Sequence, residues 1–330
     1  MARLYGMLPA FPALGRTVFS LIAALGLMLG TVAGMAAQDA KPAVAVGSKQ
    51  FTEQLILGEL LALLLEDAGY EVERQIGLAG TDIVHQALVN DEVDTYVEYT
   101  GTGLLAILGM DLPAGTPTAG AAATPVAGVE AGVDAVYNIV KDEYAAQFNV
   151  AWLDPLGFNN TYTLALTEER AAELGVETIS DLIAISGDLT LGGTQEFLTR
   201  PDGLPGLTET YEGLEFADAQ GFDAGLVYQA VDSGDVDVIS AFATDGRIPA
   251  LGLFVLEDDL GFFPPYFAAP VVRQDLLDED PAVADVLNSL AGLLDDETMA
   301  GLNAQVDVDG EEPEDVARMF LEEQGLIGAE

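Results

Sequence analysis

The chain has no cysteine among its 330 residues. That excludes disulfides, thiol nucleophiles, thiolate metal centres and an N-terminal lipid-modified cysteine. Positive charge is also scarce: 11 Lys plus Arg stand against 55 Asp plus Glu. So acidic a surface excludes tracking of a nucleic-acid backbone and direct adhesion to anionic lipid. Acid runs such as Leu256-Glu257-Asp258-Asp259 and Asp278-Glu279-Asp280 read as solvated faces whose repulsion salt screens. There is one histidine, His85, on a helical pattern beside apolar positions, where it reads as a packed helix residue instead of a general base or ligand. No set of His, Cys and acid has zinc spacing, and the carboxylates lack the calcium-loop pattern. Gly77-Leu78-Ala79-Gly80-Thr81 lacks the Lys-Ser/Thr ending of a nucleotide-phosphate loop. The expectation is no metal, no cofactor and no catalytic residue.

The first 37 residues have the layout of a secretory signal. Arg3 and Arg16 precede the apolar run Val18 to Gly30, and small residues follow at Gly34, Ala36 and Ala37. Cleavage after Ala36 or Ala37 removes two bases and no acids, deepening the net charge of −44 by two units. The alternative is an uncleaved N-terminal tether. The run is short of the roughly 20 apolar residues a span needs, but Ala33 to Ala37 extend it. The expected location is outside the cytoplasmic membrane, in a periplasm or on the outer face.

About 290 residues remain, enough for two lobes with their own cores. Val44-Ala45-Val46 reads as a strand and leads through a Gly-Ser turn into a helix, with Thr52 as its N-cap and Gly69 as its end. A short strand at Glu71-Val72-Glu73 follows, then a helix from Thr81 to Asn90. An alternating strand through Val93, Thr95 and Val97 delivers Tyr99 just beyond its C-terminal end. This strand–helix alternation predicts an α/β lobe, with ligands outside the carboxyl ends of the strands. Residues 111–129 are rich in Ala, Thr, Gly and Pro and read as a surface insertion. A helix from Val133 to Phe148 follows, then a strand Thr161 to Ala165 and a helix Glu168 to Leu174. Segment 86–94 also echoes segment 229–237 at a constant offset of 143, each a helix end, a turn and a strand start. The echo places Phe242 where Tyr99 stands.

A few bases and aromatics stand out against this background. Lys49 sits in the turn after the first strand, inside Gly47-Ser48-Lys49-Gln50-Phe51-Thr52-Glu53-Gln54. A chain that does not use lysine for solubility has kept one there. Arg200 can present two parallel donors to a carboxylate, or form a surface ion pair with Glu196 or Asp202. Thr102 can donate its hydroxyl to a ligand or cap a helix starting near Leu104. Tyr162 and Phe242 fit core packing as well as a cage; Tyr266 follows Pro264-Pro265, which restrict its approach. A quaternary ammonium cannot donate a hydrogen bond, so only aromatic faces recognise its methyl groups, and its carboxylate needs Lys or Arg.

The chain resembles the substrate-binding components of quaternary-amine ABC importers, the receptors for glycine betaine, choline and carnitine. The resemblance rests on the Gly47–Gln54 block, Glu98-Tyr99-Thr100-Gly101-Thr102, Trp152-Leu153 and Leu156-Gly157-Phe158-Asn159-Asn160-Thr161-Tyr162. It continues in Ala243-Thr244-Asp245-Gly246-Arg247-Ile248 and Phe263-Pro264-Pro265-Tyr266. It implies a two-lobed class II periplasmic-binding-protein fold with the ligand cleft between lobes. One lobe would comprise 43–156 plus 264–330, the other 157–263. Tyr99, Tyr162, Phe242 and Tyr266 match the family's cage positions. Lys49, Thr102 and Arg200 match those that hold the ligand carboxylate. Asn160 stands where some members place an acid that assists the cationic end. Phe242 replaces what is often a tyrosine.

The function this implies is reversible capture of glycine betaine or a related quaternary-ammonium osmoprotectant. The monomeric receptor would deliver it to an ABC permease and, through that, its ATPase. Lys49 and Arg200 lead to the expectation that a betaine binds better than choline. A choline- or carnitine-preferring receptor is the neighbouring alternative. An enzyme acting on small amines or acids is the alternative in another class, weakened by the lack of a nucleophile–base pair.

Overall fold

Two five-stranded sheets built to one plan position everything that follows. The computed structural model describes residues 41–113, 116 and 130–328. The expected signal segment 1–37 and all but four residues of the expected 111–129 insertion lie outside the described residues. The first sheet has the order β2-β1-β3-β10-β4, with β1 (Ala43–Lys49), β2 (Glu71–Ala79), β3 (Thr95–Tyr99), β4 (Val150–Trp152) and β10 (Ala268–Arg273). The second has the order β7-β6-β8-β5-β9, with β5 (Tyr162–Thr167), β6 (Thr190–Thr194), β7 (Asp218–Phe222), β8 (Val238–Phe242) and β9 (Leu253–Val255). In each, three parallel strands are followed by an antiparallel pair member, β10 against β3 and β5 against β8.

The 143-residue echo marks equivalent elements of these sheets. Helix α2 (Thr81–Val89) and the helix Ala224–Ser233 begin at that offset, and β3 and β8 share it at both ends. So do the first residues of α1 (Thr52–Asp67) and of the helix Gln195–Thr199.

Several local expectations change on contact with tertiary structure. Thr52 is not the N-cap of α1. Phe51 holds that place without a side-chain cap, and the Thr52 hydroxyl donates to Asp307 at 2.7 Å. Thr102 ends a helical turn, Thr100–Thr102, and stands at the N-cap position of the π-helical turn Gly103–Ile107, but its side chain makes no capping bond. Strand β2 extends well past Glu73 to Ala79. All five residues of β3 are buried, because helices cover both faces of this central strand and erase any alternation. Helix α1 is apolar nearly all round, with Ile56 to Leu65 buried between the sheet and the C-terminal helices Asp296–Asp307 and Pro313–Glu323. It closes at Gly69, whose φ of 87° a side chain would resist.

The chain passes between the sheets twice, along 153–161 and 256–267. The two passages pair with each other: Asn159 bridges Phe267, and the Asn160 amide donates to the Tyr266 carbonyl at 3.1 Å. Among the described residues no helix is long and apolar enough to cross a membrane.

Candidate functional site

The carboxyl ends of the parallel strands in both sheets converge on one cavity of about 340 Å³, counting its open side. Strand β1 ends at Lys49, β3 at Tyr99 and β8 at Phe242; the paired passages add Asn160 and Tyr266, and β5 opens with Tyr162. All eight residues singled out in the sequence line this cavity: Lys49, Tyr99, Thr102, Asn160, Tyr162, Arg200, Phe242 and Tyr266. Phe51, Thr81 and Glu196 line it too, and sequence reasoning did not assign them there. Phe51 lies within the quoted Gly47–Gln54 block, so an aromatic at a strand-to-helix turn was the available signal.

One side of the cavity is aromatic. There Phe51 and Phe242 stack on each other with centroids 5.3 Å apart and planes 7° apart. Tyr162 lies 5.2 Å from Phe242 and meets Tyr266 edge-on at 5.8 Å, while Phe51 also stacks on Tyr99 at 6.4 Å. The Tyr99 ring already faces a cation, the Lys49 ammonium at 5.1 Å from its centroid. Close packing fixes these rings. A methyl group on Gly101 would stand 2.8 Å from the Tyr266 ring, so only glycine admits that approach.

The two bases of the site are anchored by acids. Lys49 Nζ donates to Glu98 Oε1 at 2.6 Å, both side chains being buried. Glu98 is in turn held by the Tyr96 hydroxyl at 3.1 Å and the Tyr99 amide at 2.7 Å. Arg200 chelates Asp202, through Nε to Oδ1 at 2.8 Å and Nη2 to Oδ2. Tyr266 donates its hydroxyl to the same carboxylate at 2.7 Å. The Arg200 ion pair expected at the surface is therefore largely buried, and it reaches Tyr266, one of the expected cage residues. Arg200 Nη2 also donates to Thr102 at 3.3 Å, which joins two of the expected carboxylate contacts. Lys49 keeps two further N–H donors, and none of the described hydrogen bonds uses Arg200 Nη1. The acids thus orient the bases without exhausting them.

Two glutamates close the site from behind and from the side. Glu196 accepts the Thr81 amide at 2.8 Å, satisfying the otherwise uncapped start of α2 from the opposite sheet. Glu53 accepts the Tyr99 hydroxyl at 2.7 Å and the Asn160 amide group at 2.8 Å. Burial pushes the Glu53 carboxyl above the usual range, opposed by its hydrogen bonds from Thr244, Tyr99, Asn160 and Asn303. Burial likewise pushes the Tyr99 phenol well up, and the nearby Glu53 charge adds to it, so the ring stays neutral. His85 lies away from the cavity, packed edge-on against Tyr144 and Phe148 at 5.5 and 4.7 Å. Among the described residues no group of His, Cys, Asp and Glu is arranged to hold a metal ion.

A two-domain α/β architecture with a binding cavity between its sheets defines a periplasmic-binding-protein-like fold. Over residues 42–323 the chain matches the family described as the substrate binding domain of ABC-type glycine betaine transport systems, and it belongs to that family. It is 37% identical over 293 residues to a glycine-betaine-binding protein of Pseudomonas aeruginosa, covering 86% of this chain and 88% of that one. It is also 37% identical over 289 residues to an ergothioneine transport permease/ergothioneine binding protein of Helicobacter pylori. That match covers 87% of this chain but only 48% of the relative, so the chain spans about half of that protein's length. Among solved structures, one titled a glycine betaine/carnitine/choline ABC transporter superposes with a TM-score of 0.66 at 31% identity. The match covers 86% of this chain and 99% of that one.

Proposed function

We propose that this protein is an exported receptor that captures glycine betaine or a related quaternary-ammonium zwitterion and delivers it to the permease of an ABC importer, and through it to the ATPase. The observation that carries this reading is the meeting, in one cavity, of an aromatic wall and two acid-anchored bases. Tyr99, Tyr162, Phe242 and Tyr266, joined by Phe51, surround the quaternary ammonium. Each face contributes about 0.5–2 kcal/mol to holding the cation. Lys49, Thr102 and Arg200 hold the carboxylate, with Asn160 on the cationic side. The two lobes are 43–156 plus 264–330 and 157–263, hinged where 153–161 and 256–267 pair. Cross-cleft bonds such as Glu196 to Thr81 and Arg200 to Thr102 then stabilise the closed arrangement around the ligand. The protein binds without chemistry, works as a monomer, and loses residues 1–37 on export.

Calorimetric titration with glycine betaine, proline betaine, carnitine, ergothioneine and choline tests the reading, with each ligand's mass checked after incubation. A zwitterion should bind more tightly than choline, because choline leaves the Lys49 and Arg200 donors unmatched. Tighter binding of choline would remove the carboxylate site, and a changed ligand mass would replace the receptor by an enzyme. N-terminal sequencing of the secreted protein checks the cleavage; an intact Met1 would mean a tether.

A further inference from the structure

Glu53 is a buried carboxylate with no base beside it. It is the second residue of α1, and no Lys, Arg or His forms an ion pair with it among the described residues. Instead it accepts four hydrogen bonds. Oε1 takes Tyr99 Oη at 2.7 Å and Asn160 Nδ2 at 2.8 Å; Oε2 takes Thr244 Oγ1 at 2.5 Å and Asn303 Nδ2 at 3.2 Å. Two of these donors are amide groups that cannot accept a proton in return. Their orientation is set by their other bonds, Asn303 Nδ2 donating to the Thr244 carbonyl at 2.9 Å and Asn160 Oδ1 accepting from the Thr244 amide at 3.5 Å. Four donors on two oxygens match a carboxylate, which has acceptor sites only.

Two of the four donors, Tyr99 and Asn160, line the ligand cavity, whereas Glu53 itself does not. Its charge therefore stands one hydrogen bond behind the wall. An anion accepting from a phenol raises electron density in the ring and deepens the negative face that attracts a cation. In so dry a setting the charge also acts directly through space. A wall of Tyr, Phe and Asn with nothing behind it would favour any apolar group of suitable shape. With Glu53 behind it, the wall distinguishes a positive one.

We propose that Glu53 is the positioning residue that sets this site's preference for a permanent positive charge, acting through Tyr99 and Asn160 without touching the ligand. This rests on the quaternary-ammonium reading above. The test compares glycine betaine with 3,3-dimethylbutanoate, which has the same shape and carboxylate but a neutral carbon in place of the charged nitrogen. Wild-type protein should strongly prefer betaine. Glu53→Gln should lower the betaine-to-dimethylbutanoate affinity ratio on the order of tenfold, chiefly through betaine. A purely structural role would weaken both ligands alike and leave the ratio unchanged. Tyr99→Phe, which cuts the hydrogen bond to Glu53 but keeps the ring, gives a second arm that does not depend on Glu53→Gln folding. It should lower the ratio as well. A wild-type protein that does not prefer betaine would overturn the cage reading itself. A wild type that prefers it, with the ratio unchanged in both folded variants, or in Tyr99→Phe if Glu53→Gln does not fold, would overturn the role of Glu53 alone.

Discussion

Tyr99 and Phe242 end equivalent strands of the two sheets, 143 residues apart, yet they are held in different ways. Tyr99 is buried and tied by its hydroxyl to Glu53 and Gln54, at 2.7 and 3.1 Å. Phe242 is partly exposed and has no hydroxyl; its ring is held by packing alone, while its backbone amide donates to the Tyr228 hydroxyl at 3.1 Å. The same offset relates Glu53, whose carboxylate gathers four donors, to Glu196, whose carboxylate has one described hydrogen bond, accepted from the Thr81 amide. It also relates His85, wedged among aromatic rings, to Tyr228, which serves Phe242 and lies under the Arg247 guanidinium at 4.1 Å. One backbone plan thus carries two kinds of surface. The first sheet supplies a polar, fully bonded anchor. The second supplies ring faces and, just after β6, the Arg200–Asp202 pair.

The largest expected effect breaks the anchored base on the second side. Arg200→Ala should weaken betaine by about 2–4 kcal/mol, or roughly 30- to 1,000-fold in Kd. Choline should lose less, having no carboxylate to leave unmatched. Part of the loss comes from stranding Asp202, so thermal melts of the free variant are needed beside the titration. Equal losses for both ligands would reassign Arg200 to structure.

The next contrast sets the two strand ends against each other. Tyr99→Ala should cost about 1–3 kcal/mol, roughly 5- to 150-fold in betaine Kd, from the lost ring face and packing. Phe242→Ala should cost less, about 1 kcal/mol, because that ring is less buried and carries no bonded hydroxyl. If Phe242→Ala proves the more damaging, the anchor does not lie on the Tyr99 side.

The smallest effect separates His85 from Tyr228. Burial pushes His85 below the ordinary imidazole range, and pushes the Tyr228 phenol well above its own, away from neutral pH. Unfolded His85 takes up a proton near pH 6.5 while the folded one stays neutral. Its contribution to stability is therefore complete above that pH and is lost as pH falls toward the folded value. The loss is at most about 1.4 kcal/mol per pH unit. Urea midpoints for wild type and His85→Leu between pH 7.5 and 5.5 should differ in slope, the wild type falling more steeply. Parallel slopes would mean that His85 accepts its proton in place.

Much of this arrangement was legible in the chain. Tyr99 and Phe242 were legible at strand ends because a turn signal follows each apolar run, and the 143-residue echo pointed to the repeated plan; Lys49, read as a turn residue after Val46, is instead the last residue of β1. The partners of these residues were not. Glu98 pairs with Lys49 across neighbouring strands, and Glu53 gathers donors from as far as Asn303, contacts that no local spacing encodes. Asp202 was visible as an Arg200 partner, but its burial was not, since that depends on Tyr266 arriving from the second passage. The Thr52 cap failed for a related reason: Asp307, from the other end of the chain, draws its hydroxyl away.

The most direct measurement is a crystal structure of the protein grown with glycine betaine. The expected result has the trimethylammonium group against the rings of Tyr99, Tyr162, Phe242 and Tyr266, and the carboxylate within hydrogen-bond distance of Lys49, Thr102 and Arg200. A betaine bound in the reverse sense, or outside the cavity where these residues meet, would contradict it.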